Sequence, residues 1–223
     1  MKTAVVIGST GLIGQILTEG LAGQSEYAQV LAIVRKQATW QNSKIKNIYF
    51  NFHNWNDLGT QIKNFSSGSE IHFFCCLGTT IKVAGSEENF KKIDHDCVVE
   101  FSKVASTVQS TKLIVVSALG ANLKSTVFYN RTKGEMEKNI TAEFKNSISI
   151  LRPSLLLGDR KEFRMAEKIS VLLEPIYGLF LYGPFKKFKP IQAAQVAKAM
   201  IQIASQKSND VRIFENDELL STN

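Results

Sequence analysis

The sequence predicts an α/β fold, a doubly wound parallel sheet with helices on both faces and a small C-terminal extension on the substrate side. Three observations predict it. Strand-like and helix-like segments alternate over the first two thirds of the chain. The strand-like segments are Val- and Ile-rich runs without polar alternation, as expected of strands buried on both faces. A glycine-rich turn joins the first strand to the first helix. Right-handed crossovers then set ligands at the carboxyl ends of the strands.

Ala4 to Ile7 is a short buried strand, followed by a helix from Leu12 to about Ala22 with Leu12, Ile16 and Leu17 apolar. Val30 to Val34 is the second strand, Asn47 to Phe52 the third, and Trp55 to Phe65 a helix. Ile71 to Leu77 is a fully apolar fourth strand, and Glu87 to Val108 reads as one long helix. Lys112 to Val116, Thr126 to Phe144 and Ile148 to Leu151 continue as strand, helix and strand. From Pro153 onward come aromatic and Pro/Gly-rich loops, a helix from about Ile191 to Ser205 and a terminal strand near Val211 to Phe214. The whole chain, 1–223, reads as one domain, with 153–190 contributing the substrate-side region.

Composition narrows the function. With 223 residues, 44% of them hydrophobic, the chain buries a full core without disulfide staples. The net charge of +7 favours an anionic cofactor or a polyanion. It is spread along the chain, and its densest run, Lys186, Lys187 and Lys189, is short, so no nucleic-acid partner is expected. The three cysteines, with Cys75 and Cys76 adjacent, form neither a disulfide framework nor metal-ligand spacing, which predicts a reduced, cytoplasmic location. His53, His72 and His95 share no spacing, and no metal site is expected. The apolar run at Ala4 to Ile7 is too short for a signal peptide, and Ile169 to Phe185 is broken by Glu174, Pro175 and Pro184, so no membrane span is expected.

The first βα turn reads Gly8-Ser9-Thr10-Gly11-Leu12-Ile13-Gly14. Its first glycine allows the tight bend, its second lets backbone approach a pyrophosphate, and its third lets helix pack closely on strand. The helix start adds unpaired N–H groups and a positive dipole end. At the end of the second strand an acidic residue would hold a free ribose 2′-hydroxyl. Arg35 and Lys36 stand there instead, which predicts NADP(H) in preference to NAD(H); an exposed basic turn is the plainer alternative. The fourth strand runs into Leu77, Gly78, Thr79 and Thr80, a loop placed to pass beside the cofactor.

The chemistry is carried by Ser117 at the end of the fifth strand and by Tyr129 and Lys133 on the next helix. Four helical residues put the phenol and the ammonium on one face, roughly 6 Å apart along the axis. A tyrosine titrates near 10, and a neighbouring ammonium favours phenolate. Tyr129 would exchange the proton of a carbonyl/alcohol pair, Lys133 would hold the nicotinamide ribose, and Ser117 would bind the substrate oxygen. An ordinary amphipathic helix with a packed tyrosine is the alternative.

These motifs, with Leu151-Arg152-Pro153-Ser154, resemble the short-chain dehydrogenase/reductase superfamily in its atypical branch. The chain is more closely similar to the Tat-interacting-protein oxidoreductases and their nucleoside-diphosphate-sugar-epimerase-like relatives. The segments Cys75 to Thr80, Ala84-Gly85-Ser86, Ile93-Asp94-His95-Asp96, Lys133 to Glu137 and Arg152 to Arg160 carry that likeness. The resemblance implies a Rossmann domain binding NADP(H) through Gly8 to Ile13, Arg35, Leu77 to Thr80, Tyr129 and Lys133, with Pro153 and Ser154 near the nicotinamide. Two positions depart from the pattern. Asn51-Phe52 stands where Asp often meets the adenine, and the fourth helix shows no asparagine near Asp94.

Three functions compete at this point: a reductase or dehydrogenase for a small carbonyl or alcohol, a non-catalytic dinucleotide sensor with a protein partner, and a nucleotide-sugar epimerase. The last is disfavoured by the short stretch after the sixth strand. Ile176 to Phe185 is read as an apolar substrate wall, or alternatively as core or a subunit contact. The oligomeric state is left open.

Overall fold

In the computed structural model, which describes residues 1–66, 68–158 and 183–221, alternate side chains of the first strand are buried on opposite sides. Ala4 and Val6 enter one core, Val5 and Ile7 the other, which requires a sheet covered on both faces. The described strands are β1 (Lys2–Ile7), β2 (Tyr27–Val34), β3 (Ile45–Tyr49), β4 (Glu70–Cys75), β5 (Lys112–Val116), β6 (Ser147–Arg152), β7 (Leu156–Leu157), β8 (Ile191–Gln192) and β9 (Val211–Glu215). The main sheet has the order β3-β2-β1-β4-β5-β6-β9, and every pairing in it is parallel. β7 and β8 form a separate parallel pair.

The order reverses between β1 and β4. Successive crossovers therefore leave in opposite directions, and a crevice opens at the carboxyl ends of these two strands. The α-helices among the described residues are α1 (Leu12–Ala22), α2 (Trp55–Phe65), α3 (Ile81–Ala84), α4 (Glu87–Lys91), α5 (Cys97–Thr107), α6 (Phe128–Glu143), α7 (Ala193–Ser205) and α8 (Asn216–Leu220). Leu17 and Leu21 of α1, with Val196 and Met200 of α7, join the core that holds Ala4, Val6 and Phe74. Leu58 and Ile62 of α2, Phe101 of α5, and Met136 and Ile140 of α6 join the core of Val5, Ile7 and Phe73. The sequence-predicted fold class is the observed one.

Three local expectations are corrected. The helix expected over Glu87 to Val108 is interrupted by a π turn, Lys92–Asp96, between α4 and α5. The wider turn carries two buried polar side chains, Asp94 and His95, and such turns recur at functional sites. The third strand ends at Tyr49, short of Phe52, because Phe52 takes a left-handed conformation (φ 67°) incompatible with a strand; its ring packs on Phe50 and Trp55. The second strand begins earlier than its apolar run, at Tyr27. There the Tyr27 hydroxyl meets His72 Nδ1 at 2.8 Å and His72 Nε2 meets Glu70 at 3.0 Å. Burial pushes the His72 pKa down, so the ring is neutral, accepting from the phenol and donating to Glu70. This buried chain lies at the amino ends of the strands, away from the crevice.

Candidate active site

The glycine turn has the geometry its spacing implies. Gly8 is left-handed (φ 73°), and a Cβ on it would stand 2.6 Å from the backbone carbonyl of Cys76, where β4 leaves the sheet. A Cβ on Gly14 would stand 2.0 Å from the Gly8 carbonyl oxygen. Both positions need glycine because backbone lies against backbone. Gly11 donates its N–H to the Gly8 carbonyl at 2.9 Å and opens α1 without a side-chain cap, and the first turn of α1 holds no acidic residue. The amide groups of the helix start are thus left for an anion. Ser9 is fully buried and donates to the Ile33 carbonyl, fixing the turn to β2; Thr10 is exposed, and Leu12 and Ile13 begin the helix. Gly158 lies against Leu12, so the chain after β7 passes beside the helix start.

Arg35 and Lys36 are exposed directly beyond β2, on the flank where a ribose bound over the turn would project. Asn51, at the position of the departed adenine contact, accepts the His53 N–H. Across the crevice, Leu77 and Thr79 are partly buried and Gly78 and Thr80 exposed. The Thr80 hydroxyl caps α3, accepting from the Val83 N–H. The Thr79 N–H donates to Asp94 Oδ2 at 2.9 Å.

Asp94 is the centre of the site. Its Oδ1 lies 2.7 Å from Lys133 Nζ, with the lysine side chain 3% and the aspartate 1% exposed. The π turn thereby delivers to α6 a carboxylate that the long-helix expectation left on an ordinary helix. Tyr129 stands one turn before Lys133 on α6, its ring 5.2 Å from that of the fully buried Phe90. Burial pushes the Tyr129 pKa up, Lys133 pulls it down, Asp94 raises it again, and the net direction is upward. Burial works to lower the Lys133 pKa, but Asp94 and Tyr129 outweigh it and the ammonium is held charged. Lys133 thus acts on Tyr129 in the expected direction, towards phenolate, but burial outweighs it and the paired carboxylate adds to burial, so the net expectation of a lowered value is corrected and the resting group is a phenol.

Ser117 meets a carboxylate of α6. It is buried, and its hydroxyl donates to Glu137 Oε1 at 2.6 Å. Glu137 lies two helical turns beyond Tyr129, roughly 12 Å along the axis. Glu137 also pairs with Arg152 at 2.6 Å, and Arg152 reaches Glu215 at 2.9 Å. Sequence reasoning missed Glu137, Arg152 and Asp94 as site-supporting groups. The signal for Glu137 was present, since Tyr129, Lys133 and Glu137 recur every four residues. Pro153 is buried beside this network, and its carbonyl accepts the Leu119 N–H. Ser154, expected near the nicotinamide, donates its N–H to Asn216 and its hydroxyl to the Lys189 carbonyl, fastening the C-terminal part of the chain. The aromatic stretch from Ile176 lies outside the described residues up to its last turn, which begins at Gly183.

The chain matches the family model described as HIM1 over residues 33–182, about two thirds of its length. It belongs to the HIM1 family. Among relatives of this HIM1-family chain, the protein named "Protein FMP52, mitochondrial" from Eremothecium gossypii is 31% identical, over 98% of this chain and 96% of the relative. "Protein HTATIP2" from Rattus norvegicus is 26% identical, over 98% of this chain and 88% of the relative. The resemblance drawn from the motifs is thus the observed kinship. Among solved structures, MoeE5 in complex with UDP-glucuronic acid and NAD superposes with a TM-score of 0.69 at 18% identity, covering 96% of this chain and 75% of that one. The oxidoreductase ylbE from Lactococcus lactis superposes with a TM-score of 0.65 at 17% identity, covering 98% and 95%. At those identities the superpositions establish the Rossmann-type fold.

One expectation is overturned. The cytoplasmic location read from the cysteines conflicts with relatives 31–33% identical over more than nine tenths of the chain, which are named as mitochondrial proteins. Reduced thiols are equally at home in other reducing compartments, so cysteine usage did not discriminate. No helix among the described residues is long and apolar enough to cross a membrane.

Proposed function

We propose that this HIM1-family chain is an NADP(H)-dependent oxidoreductase of the atypical short-chain type, acting on a small carbonyl or alcohol. The observation that carries the proposal is the buried Lys133–Asp94 pair one helical turn from the half-buried Tyr129, joined through Thr79 to the loop that borders the same crevice as the uncapped start of α1. A dinucleotide fits the residues present. The turn from Gly8 to Ile13 would hold its diphosphate, Arg35 and Lys36 a 2′-phosphate, and the Leu77 to Thr80 loop its nicotinamide half, near Pro153. Bound there, a nicotinamide supplies or accepts hydride at the substrate carbon. Tyr129 holds the proton for the substrate oxygen, and Lys133 keeps a positive charge close to the phenol oxygen as that proton leaves. Burial of Lys133 and Asp94, and the ring of Phe90 against Tyr129, limit the water around the exchange.

The test is a panel of aldehydes, ketones and quinones with NADPH, read as loss of reduced-coenzyme absorbance. Tyr129→Phe is expected to lower turnover by about 10²–10⁴-fold while coenzyme binding persists. Unchanged turnover in that variant contradicts the role given to the phenol. A second reading, a dinucleotide sensor with a protein partner, is favoured by one observation: the Ser117 proton is held by Glu137, leaving the phenol without that second donor. Tight NADPH binding with no turnover across the panel selects it.

The coenzyme preference has its own test. Arg35→Ala is expected to weaken NADPH binding about tenfold or more and to leave NADH binding unchanged, because only the 2′-phosphate meets the guanidinium. Equal affinity of the unmutated chain for the two coenzymes contradicts it.

A further inference from the structure

We infer that Asp94 is a positioning residue that holds Lys133 as its charge-compensated partner and so limits the pull of the ammonium on the Tyr129 phenol, which is poised to give a proton to a carbonyl oxygen. The inference rests on the oxidoreductase reading and deepens it, naming the residue that sets how far Lys133 acts on the phenol.

The geometry is specific. Lys133 Nζ and Asp94 Oδ1 are 2.7 Å apart, both side chains buried, in a setting where water screens charge weakly. A lone buried ammonium one helical turn from Tyr129 would draw the phenol towards phenolate. With the carboxylate beside it, the phenol faces a nearly neutral pair. The other titratable groups around the cluster leave this balance in place. From the end of β4, Cys75 faces Lys133, and burial pushes its thiol up to about 12. From the start of α5, Cys97 is pushed up to about 11, again first by burial. Both thiols are neutral in the physiological range. His95, next to Asp94, is turned to Asp96 and to Asn139 of α6. Asp94 also accepts the Thr79 N–H at 2.9 Å, so the residue that sets the charge also anchors the loop bordering the crevice. A π turn at Lys92–Asp96 is what brings this carboxylate inward.

The experiment follows Tyr129 itself, without coenzyme or turnover. The near-ultraviolet phenolate absorbance of the full chain is titrated against pH, and the same titration of its Tyr129→Phe counterpart is subtracted. In Asp94→Asn the Tyr129 midpoint is expected to fall by about 1–3 pH units, as an uncompensated neighbouring cation dictates. A midpoint that stays or rises overturns the inference. Should Asp94→Asn fail to fold, Asp94→Asn combined with Lys133→Met removes both charges, a replacement that buried pairs commonly tolerate. A Tyr129 midpoint in the double variant close to that of the unmutated chain supports a compensated pair; a marked rise shows that Lys133 acts on the phenol uncompensated, and overturns it. Absence of turnover across the carbonyl panel would defeat the oxidoreductase reading while leaving these titrations intact, so the two failures are distinguishable.

Discussion

Gly14→Ala is expected to weaken the proposed dinucleotide binding and to lower the stability of the chain by about 1–3 kcal/mol, the usual cost of forcing a methyl group into a filled interior. The added Cβ would lie 2.0 Å from the Gly8 carbonyl oxygen, 2.8 Å from its carbon and 3.0 Å from Ser9 Cα. All three are backbone atoms, so no side chain can turn away. Relief comes only by displacing the turn from the start of α1, and that displacement scatters the amide groups assigned to the diphosphate. Binding is expected to weaken by more than about 100-fold, because directed donors lose their strength within a few tenths of an ångström. Gly23→Ala is the matched control. Gly23 follows α1 with an ordinary helical conformation, and its added Cβ would meet the Gly20 carbonyl oxygen at 3.4 Å. That variant is expected to bind NADPH as the unmutated chain does. Equal loss in both variants would mean that the turn is a fold-supporting bend with no ligand.

Arg152→Met is expected to cost about 3–5 kcal/mol in urea unfolding, the penalty of leaving a buried charge without its partner. Glu137 is buried, and with Arg152 gone it retains only the Ser117 hydroxyl. Glu215 loses the same guanidinium. Since β6, β9, α6 and the residue that follows β5 each contribute to this network, the loss is felt at their junction beside Pro153. Replacing Glu137 and Arg152 together by methionine is expected to recover most of the stability, because both desolvated charges then disappear. A single variant as stable as the unmutated chain would show that solvent reaches the pair and that the network is a surface feature.

The sequence carried the frame of the site through local patterns. Three glycines spaced by three residues lie on one turn; the close backbone approach that Gly14 requires is decided within that turn, and that of Gly8 by its contact with Cys76. Tyr129 and Lys133 are neighbours by helical periodicity alone. The fold class was legible for a similar reason: strands buried on both faces lose polar alternation, and β1, β2 and β4 show it. What the sequence concealed depends on partners distant in the chain. The Ser117 hydroxyl is committed to a carboxylate on a different element, so its position at a strand end gave no hint of its direction. Asp94 stands four residues after buried Phe90 and four before buried Val98, and a carboxylate on such a stripe signals a buried partner. Its identity as Lys133 required the π turn, for which the sequence offers no marker. The sign of the net effect on Tyr129 was concealed too, since the phenol–lysine motif argues for phenolate while burial, which depends on the packed fold, acts the other way and prevails.

The central claim is that the amino-terminal turn receives a nicotinamide dinucleotide beside the Tyr129–Lys133–Asp94 cluster. Isothermal titration of the unmutated chain with NADPH tests it most directly. A single-site binding curve is the expected result, with heat that disappears in Gly14→Ala and persists in Tyr129→Phe. No heat from NADPH or NADH at millimolar coenzyme would contradict the claim and remove the oxidoreductase reading with it.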